Sequence, residues 1–174
     1  ADAKGIKPCT ELINRTIEKA ASEGGGTIYF PAGTYLTATI HMKSNITLHL
    51  ESGAVLRFSD KFEDYLPFVT ARWEGTVMQT LSPLIYAHSA ENLTITGRGT
   101  LDGNGLKWWL WEFDTRKVIK ENGGKLPSLN KLQQMWVDAN KDLKISDYYK
   151  PSLERRMFRP PFIQFYECSN ILIE

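Results

Sequence analysis

From Thr27 onward the apolar positions come in short bursts, TIYF, YLTATIHM, ITLHL and AVLRF, parted by PAGT, KSN and ESG. The bursts are rich in β-branched and aromatic residues and the separators in turn formers, which predicts short strands joined by tight bends. The segment before them has a different period. In TELINRTIEKAASE, Leu12, Ile13, Ile17, Ala20 and Ala21 fall on one helical face. Thr10 is a candidate N-cap and Gly24-Gly25-Gly26 a stop, so a helix is expected over residues 9–24.

The strand pattern also repeats itself. Residues 83–96, PLIYAHSAENLTIT, are echoed by residues 161–174, PFIQFYECSNILIE, with Pro83/Pro161, Ile85/Ile163, Asn92/Asn170 and Ile95/Ile173 in step. A shorter echo aligns Ser44-Asn45-Ile46-Thr47-Leu48 with Glu91-Asn92-Leu93-Thr94-Ile95. A solenoid explains this, because each coil lies on the last in register and equivalent residues stack. Each recurring Asn precedes an apolar-x-apolar strand, as expected if its side chain bonds backbone at a repeated turn. A sandwich gives no reason for such recurrence. The pattern therefore predicts an all-β, right-handed parallel β-helix. Residues 27–103 are read as the first coils, with the 9–24 helix capping strand edges that would otherwise pair with other molecules.

Between the second and third echoes the strand period stops. Residues 104–158 are read as a partly helical insertion, and 159–174 as a further coil. The insertion holds Trp108, Trp109, Trp111 and Trp136. Within it, SLNKLQQMWVDANK (128–141) predicts an amphipathic helix with Ser128 as N-cap and Leu129, Leu132, Met135, Trp136 and Ala139 on its apolar face. An insertion of this kind in a solenoid bulges from one face, often the binding face.

Composition narrows the function. A net charge of +1 gives no footprint for nucleic acid or an anionic membrane surface. No apolar run approaches the ~20 residues of a membrane span, and no signal peptide opens the sequence. Cys9 and Cys168 form no metal or redox pattern and are read as two buried free thiols, with a disulfide as the alternative. No metal or cofactor is expected. Asn14, Asn45 and Asn92 match the glycosylation tripeptide, which the turn ladder already explains at the last two. His41, His49 and His88 lie in or beside strands without ligand spacing and are read as stacked structural residues.

The ordered set GGGTIYFPAGTY (24–35), TARWEG (70–75), SPLIYAHSAENLTITGRGTLDGNG (82–105), Trp108-Trp109 and RPPFIQFYECSNILIE (159–174) resembles the N-terminal part of glycoside hydrolase family 28, the polygalacturonases and related pectin hydrolases, particularly the exo-acting bacterial kind. The resemblance implies a single-stranded, pectate-lyase-like β-helix and inverting hydrolysis of galacturonic-acid linkages in a pectic polysaccharide or oligogalacturonide. It also implies a periplasmic or secreted setting. In that family the catalytic aspartates follow the segment matching residues 159–174. No catalytic residue is therefore carried onto this chain, which alone is expected to be inactive. The apolar ending ILIE has no polar cap, so further coils of the same protein are expected beyond Glu174.

An inverting glycosidase needs two carboxyl groups roughly 6.5–9.5 Å apart. Asp102 and Glu74 are the obvious acids, but Asp102-Gly103 reads as turn chemistry, and Glu74 as an ion-pair partner of Arg72. Substrate contact is the better expectation. Uronates carry carboxylates that arginine recognises by a bidentate fork, and sugar faces pack on aromatic rings, which selects Arg72, Trp108, Trp109 and Arg159. Two other classes share the strand pattern: a polysaccharide lyase, which would need a Ca²⁺-binding acidic cluster, and a non-catalytic carbohydrate-binding or adhesin module.

Overall fold

A computed structural model describes residues 2–73, 75–124, 126–143 and 159–174. They divide into two compact units: residues 1–59, 83–104 and 161–174 form the first, and residues 60–82 and 105–160 the second.

In the first unit helix α1 (Thr10–Ser22) is followed by β1 (Gly26–Phe30), β2 (Gly33–Thr37), β3 (Ile40–His41), β4 (Ile46–Leu50) and β5 (Ala54–Phe58). The second unit holds β6 (Val69–Trp73) and β7 (Thr76–Thr80) between β5 and the next strand of the first, β8 (Ile85–His88). After β9 (Glu91–Gly97) and β10 (Thr100–Asp102) come helices α2 (Leu106–Glu121) and α3 (Lys131–Ala139) of the second unit, then β11 (Ile163–Tyr166) and β12 (Ser169–Ile173) of the first.

The first unit's strands form three parallel sheets: β1-β4-β9-β12, β10-β5-β2 and β11-β8-β3. Read in sequence order, the chain visits these sheets in strict rotation, one strand at a time. Equivalent residues are therefore in register. Ile28, Leu48, Ile95 and Ile173 make one apolar column, Tyr35, Leu56 and Leu101 a second, Ile40, Ile85 and Ile163 a third. Alternate residues of β4, Ile46, Leu48 and Leu50, are buried, as a period-two strand with one face on a core requires. The strand-rich fold with parallel sheets expected from the echoes is present.

The recurring asparagines bond one another and not the backbone, which corrects the expected side-chain-to-backbone bond. Asn92 Nδ2 donates to Asn45 Oδ1 at 2.7 Å, and Asn170 Nδ2 donates to Asn92 Oδ1 at 3.1 Å. Their backbones are left-handed, with φ of 63°, 57° and 54°. Asparagine suits both demands, because it tolerates that conformation and carries a donor and an acceptor on one amide. Gly25, at φ 121°, holds the same place in the first coil, where a Cβ would lie 2.4 Å from the Asn45 carbonyl oxygen. The amides of Asn45 and Asn92 are thus committed to the ladder. That of Asn14 bonds β3, donating to Thr39 O and accepting from His41 N.

Those Asn14 bonds show how α1 closes the first coil. Cys9 N donates to Leu36 O, and Ala38 N donates to Thr10 Oγ1 at 2.7 Å. Thr10 therefore serves the sheet edge and does not cap its own helix; the N-cap is Cys9, with no side-chain bond. Ile13 and Ile17 are buried as expected, whereas Leu12 is exposed. The helix ends at the glycines, with Gly25 N bonding Ala20 O. Cys9 and Cys168 are free. The three histidines each rest on a tyrosine of an adjacent coil: His49 on Tyr29, His41 on Tyr86, His88 on Tyr166.

The second unit is an antiparallel hairpin, β6–β7, with two helices and a 3₁₀ turn at Phe62–Tyr65. Met78 and Trp136 centre a cluster with Phe68, Trp73, Val137 and Leu143. Asn140 fixes α3 to β7, accepting from Gln79 N and donating to Gln79 O, each at 2.8 Å. Helix α3 begins at Asn130 with a capping box to Gln133, not at Ser128: the amide of Asn130 reaches the Gln133 N–H, and Gln133 reaches back. Residues 60–82, read from sequence as part of the coils, lie in this unit. The two excursions leave and return beside each other. Asn104 Nδ2 bonds Phe58 O where they depart, and Leu84 N bonds Pro161 O where they come back. Among the described residues no helix is long and apolar enough to cross a membrane.

Replacing the central rung by Asn92→Ala should destabilise the protein by about 1–3 kcal/mol, from left-handed strain and two lost bonds, while Asn92→Gly should recover part of that. Urea denaturation of both variants measures it. Burial, then Lys43, push the pKa of His41 below its ordinary 6.5, with Glu18 opposing. The unfolded chain therefore takes up a proton that the folded chain resists. Stability should fall as pH drops through about 6.5 toward the lowered folded value, and His41→Gln should flatten that slope in urea midpoints read from pH 7.5 to 5.

Candidate functional site

Helix α2 carries apolar residues on two faces. One face, with Trp108, Glu112 and Thr115, is buried. The other, Leu106, Trp109, Leu110 and Phe113, follows the i, i+3, i+4, i+7 spacing of a helical stripe and is exposed. Trp109 and Phe113, one turn apart, stack with ring centroids 5.4 Å apart and planes inclined by 28°. The Arg159 guanidinium carbon lies 5.0 Å from the centroid of the Trp109 ring. That distance is within the ~6 Å reach of a cation–π contact. A cation–π contact uses the charge of the guanidinium and the face of the ring, and its N–H fork is the group that recognises carboxylates.

Trp108 faces the other way. It is only 5% exposed, packed on Phe62 at 4.1 Å and edge-on to Tyr65 at 5.7 Å, with Trp111 edge-on to Phe62. Its expected contact with substrate is thus corrected: this ring is core, enclosed by aromatic neighbours of its own unit. Burial also pushes the Tyr65 phenol far up from its ordinary pKa. Glu112 is buried beside Arg116 Nε at 2.7 Å, an i, i+4 ion pair on α2.

The remaining sequence-selected groups fall elsewhere. Arg72 stands on β6 opposite Val77, on the exposed side of the strand. Glu74 lies outside the described residues. Asp102 accepts from Asn104 N at 3.0 Å, the turn chemistry expected of it, and also from Arg57 Nε at 3.0 Å on the neighbouring coil. Both its oxygens are thereby committed to structure. Among the described residues no group of three or more His, Cys, Asp or Glu is set to hold a metal ion.

No family model matches the chain. It is 34% identical over 99 residues to a probable polygalacturonase of Vitis vinifera, a match covering 53% of this chain and 20% of the grape protein. In three dimensions, 99% of the chain superposes on 38% of an exopolygalacturonase from Thermotoga maritima, with a TM-score of 0.72 and 35% identity. The chain is a relative of the polygalacturonases. A family 28 exopolygalacturonase from Yersinia enterocolitica shares the fold at 21% identity, TM-score 0.65, over 99% of this chain and 32% of its own. The family 28 resemblance read from the sequence motifs is borne out, and the chain spans only a fifth to two fifths of these relatives' lengths.

As a polygalacturonase relative, the chain places one pair of its sequence-selected residues together, Trp109 with Arg159. Phe113 and Leu110 complete the exposed stripe and were missed by sequence reading, although their spacing from Trp109 was legible. Trp108→Ala should cost about 3–5 kcal/mol, as removal of a buried aromatic does, whereas Trp109→Ala should stay within about 1 kcal/mol. Thermal denaturation of the two neighbours side by side distinguishes core ring from surface ring.

Proposed function

We propose that this chain is part of a pectin hydrolase of the polygalacturonase type, inverting and exo-acting, folded as a right-handed, single-stranded parallel β-helix. The observation that carries the substrate assignment is the Arg159 guanidinium laid over the exposed Trp109 ring. Galacturonic-acid units each bear a carboxylate, and a guanidinium steadied by a cation–π contact can form a bidentate pair with that group. Arg159 is assigned to the substrate carboxylate, Trp109 to holding the arginine and flanking the sugar. Arg72 is a second uronate contact on the hairpin.

The hydrolytic carboxylates are assigned to further coils. Support comes from coverage: the chain spans only a fifth to two fifths of its relatives' lengths. The general acid and the base that activates water would stand there, roughly 6.5–9.5 Å apart as inversion demands. Asp102 has no part in this reaction, being committed to Arg57 and Asn104.

Reducing-sugar release from polygalacturonate should occur with the full open reading frame and not with the 174-residue chain, and the first products should be one or two sugars long. Activity in the short chain would overturn the placement of the acids. In the full protein, Arg159→Ala should raise KM about 10–100-fold, the equivalent of about 1.5–3 kcal/mol for a hydrogen bond to a charged group, with a smaller effect on kcat. An unchanged KM on polygalacturonate would remove Arg159 from the site.

A further inference from the structure

The three parallel sheets tie the coils together at fixed points, and between two of those points the coils differ in length. Ile40, Ile85 and Ile163 are in register, and so are Asn45, Asn92 and Asn170 through their amide ladder. From isoleucine to asparagine the first coil takes five residues, Ile40 to Asn45. The next two take seven, Ile85 to Asn92 and Ile163 to Asn170. With both ends pinned, the shorter corner must cut inside the longer one beneath it. The result is a notch of about 290 Å³ lined by His41, Met42, Lys43 and Ser44 of the short corner and by Tyr86–Ala90 of the long one. That volume is near the lower end of the ~300–1,000 Å³ range of small-molecule sites and holds one sugar-sized group.

Two side chains of the notch, Lys43 and His41, offer donors. Among the described residues, Lys43 makes no ion pair, and the ring nitrogens of His41 make no hydrogen bond. Ser44 Oγ accepts from Glu91 N at 3.2 Å, which leaves its own proton unused. Burial and Lys43 hold the pKa of His41 down, with Glu18 of α1 opposing, so near neutral pH the ring offers a neutral N–H. The carboxylate nearest His88 is committed: Glu167, one coil on, lies 3.3 Å from His88 Nε2 and accepts from Ser89 Oγ at 3.4 Å. None of the residues lining the notch is acidic.

We propose that this corner notch binds a small oxyanion, a carboxylate or phosphate carried on a sugar-sized molecule, with Lys43 as its counter-charge and His41 and Ser44 as donors. The site lies wholly within the coil unit and uses neither Arg159 nor Trp109, so it stands or falls independently of the hydrolase reading.

The test is a heteronuclear NMR titration of the full chain with galacturonate, galactose and inorganic phosphate at fixed ionic strength. Galacturonate or phosphate should shift the signals of His41, Lys43, Ser44 and Ser89 in a saturable way, and galactose should bind at least about tenfold more weakly, since it lacks the charge. Saturation by galacturonate alone assigns a uronate, and by phosphate a phosphorylated ligand. Lys43→Gln, at an exposed position that leaves the coils intact, should lower the anion affinity about tenfold, and Ser44→Ala less. Three results overturn the proposal: no saturable shift with either anion, galactose binding as tightly as galacturonate, or an affinity unchanged in Lys43→Gln.

Discussion

Everything in the coil unit depends on holding parallel strands in register, and the asparagine ladder is where that is enforced most tightly. A parallel strand slipped by one residue would turn its apolar set outward. At Asn45, Asn92 and Asn170 two constraints coincide. The backbone must enter the left-handed region to turn the corner, and the amides must meet end to end. A slip of one residue would put Glu91 or Leu93 in the place of Asn92. Neither has the paired donor and acceptor, and a bulky residue there is strained. The ladder therefore sets both the bend and the alignment of the columns Ile28–Leu48–Ile95–Ile173 and Ile40–Ile85–Ile163.

The legibility of the fold follows from the same arrangement. Stacked coils place like residues on like, so structure writes itself into the chain as recurrence, and Ile85/Ile163 or Asn92/Asn170 can be read without coordinates. Helix α1 was legible through its glycine stop and the positions of Ile13 and Ile17. Its start was less so, because Thr10 looks like a cap and is spent instead on Ala38 N. A hydroxyl has no way of declaring, in sequence, which of two nearby amides will claim it.

The second unit has no such repeat, and there the reading thinned. Residues 60–82 contain good strand formers, as the coils do, and nothing in Val69–Trp73 or Thr76–Thr80 announces an antiparallel partner in place of parallel ones. Helix α2 was hidden by its own composition. Trp108 and Trp111 turn inward and Leu106, Trp109, Leu110 and Phe113 outward, so the apolar pattern has no single helical face. For the candidate site this mattered directly. Trp108 and Trp109 look equivalent in the sequence, and only the helical turn of about 100° between neighbours sends one into the core and the other to Arg159.

The two excursions depart side by side, at Phe58 and Asn104, and return side by side, at Leu84 and Pro161. The coil stack thereby acts as a ruler, graduated in strand spacings of about 4.8 Å, that sets the points where the chain leaves and re-enters it. Coils could be added at the ends of such a stack without moving those points. A coil added between these two excursions would draw their roots one graduation further apart. In a fold that otherwise grows by simple repetition, a coil inserted there would also part Asn104 from Phe58 and Leu84 from Pro161.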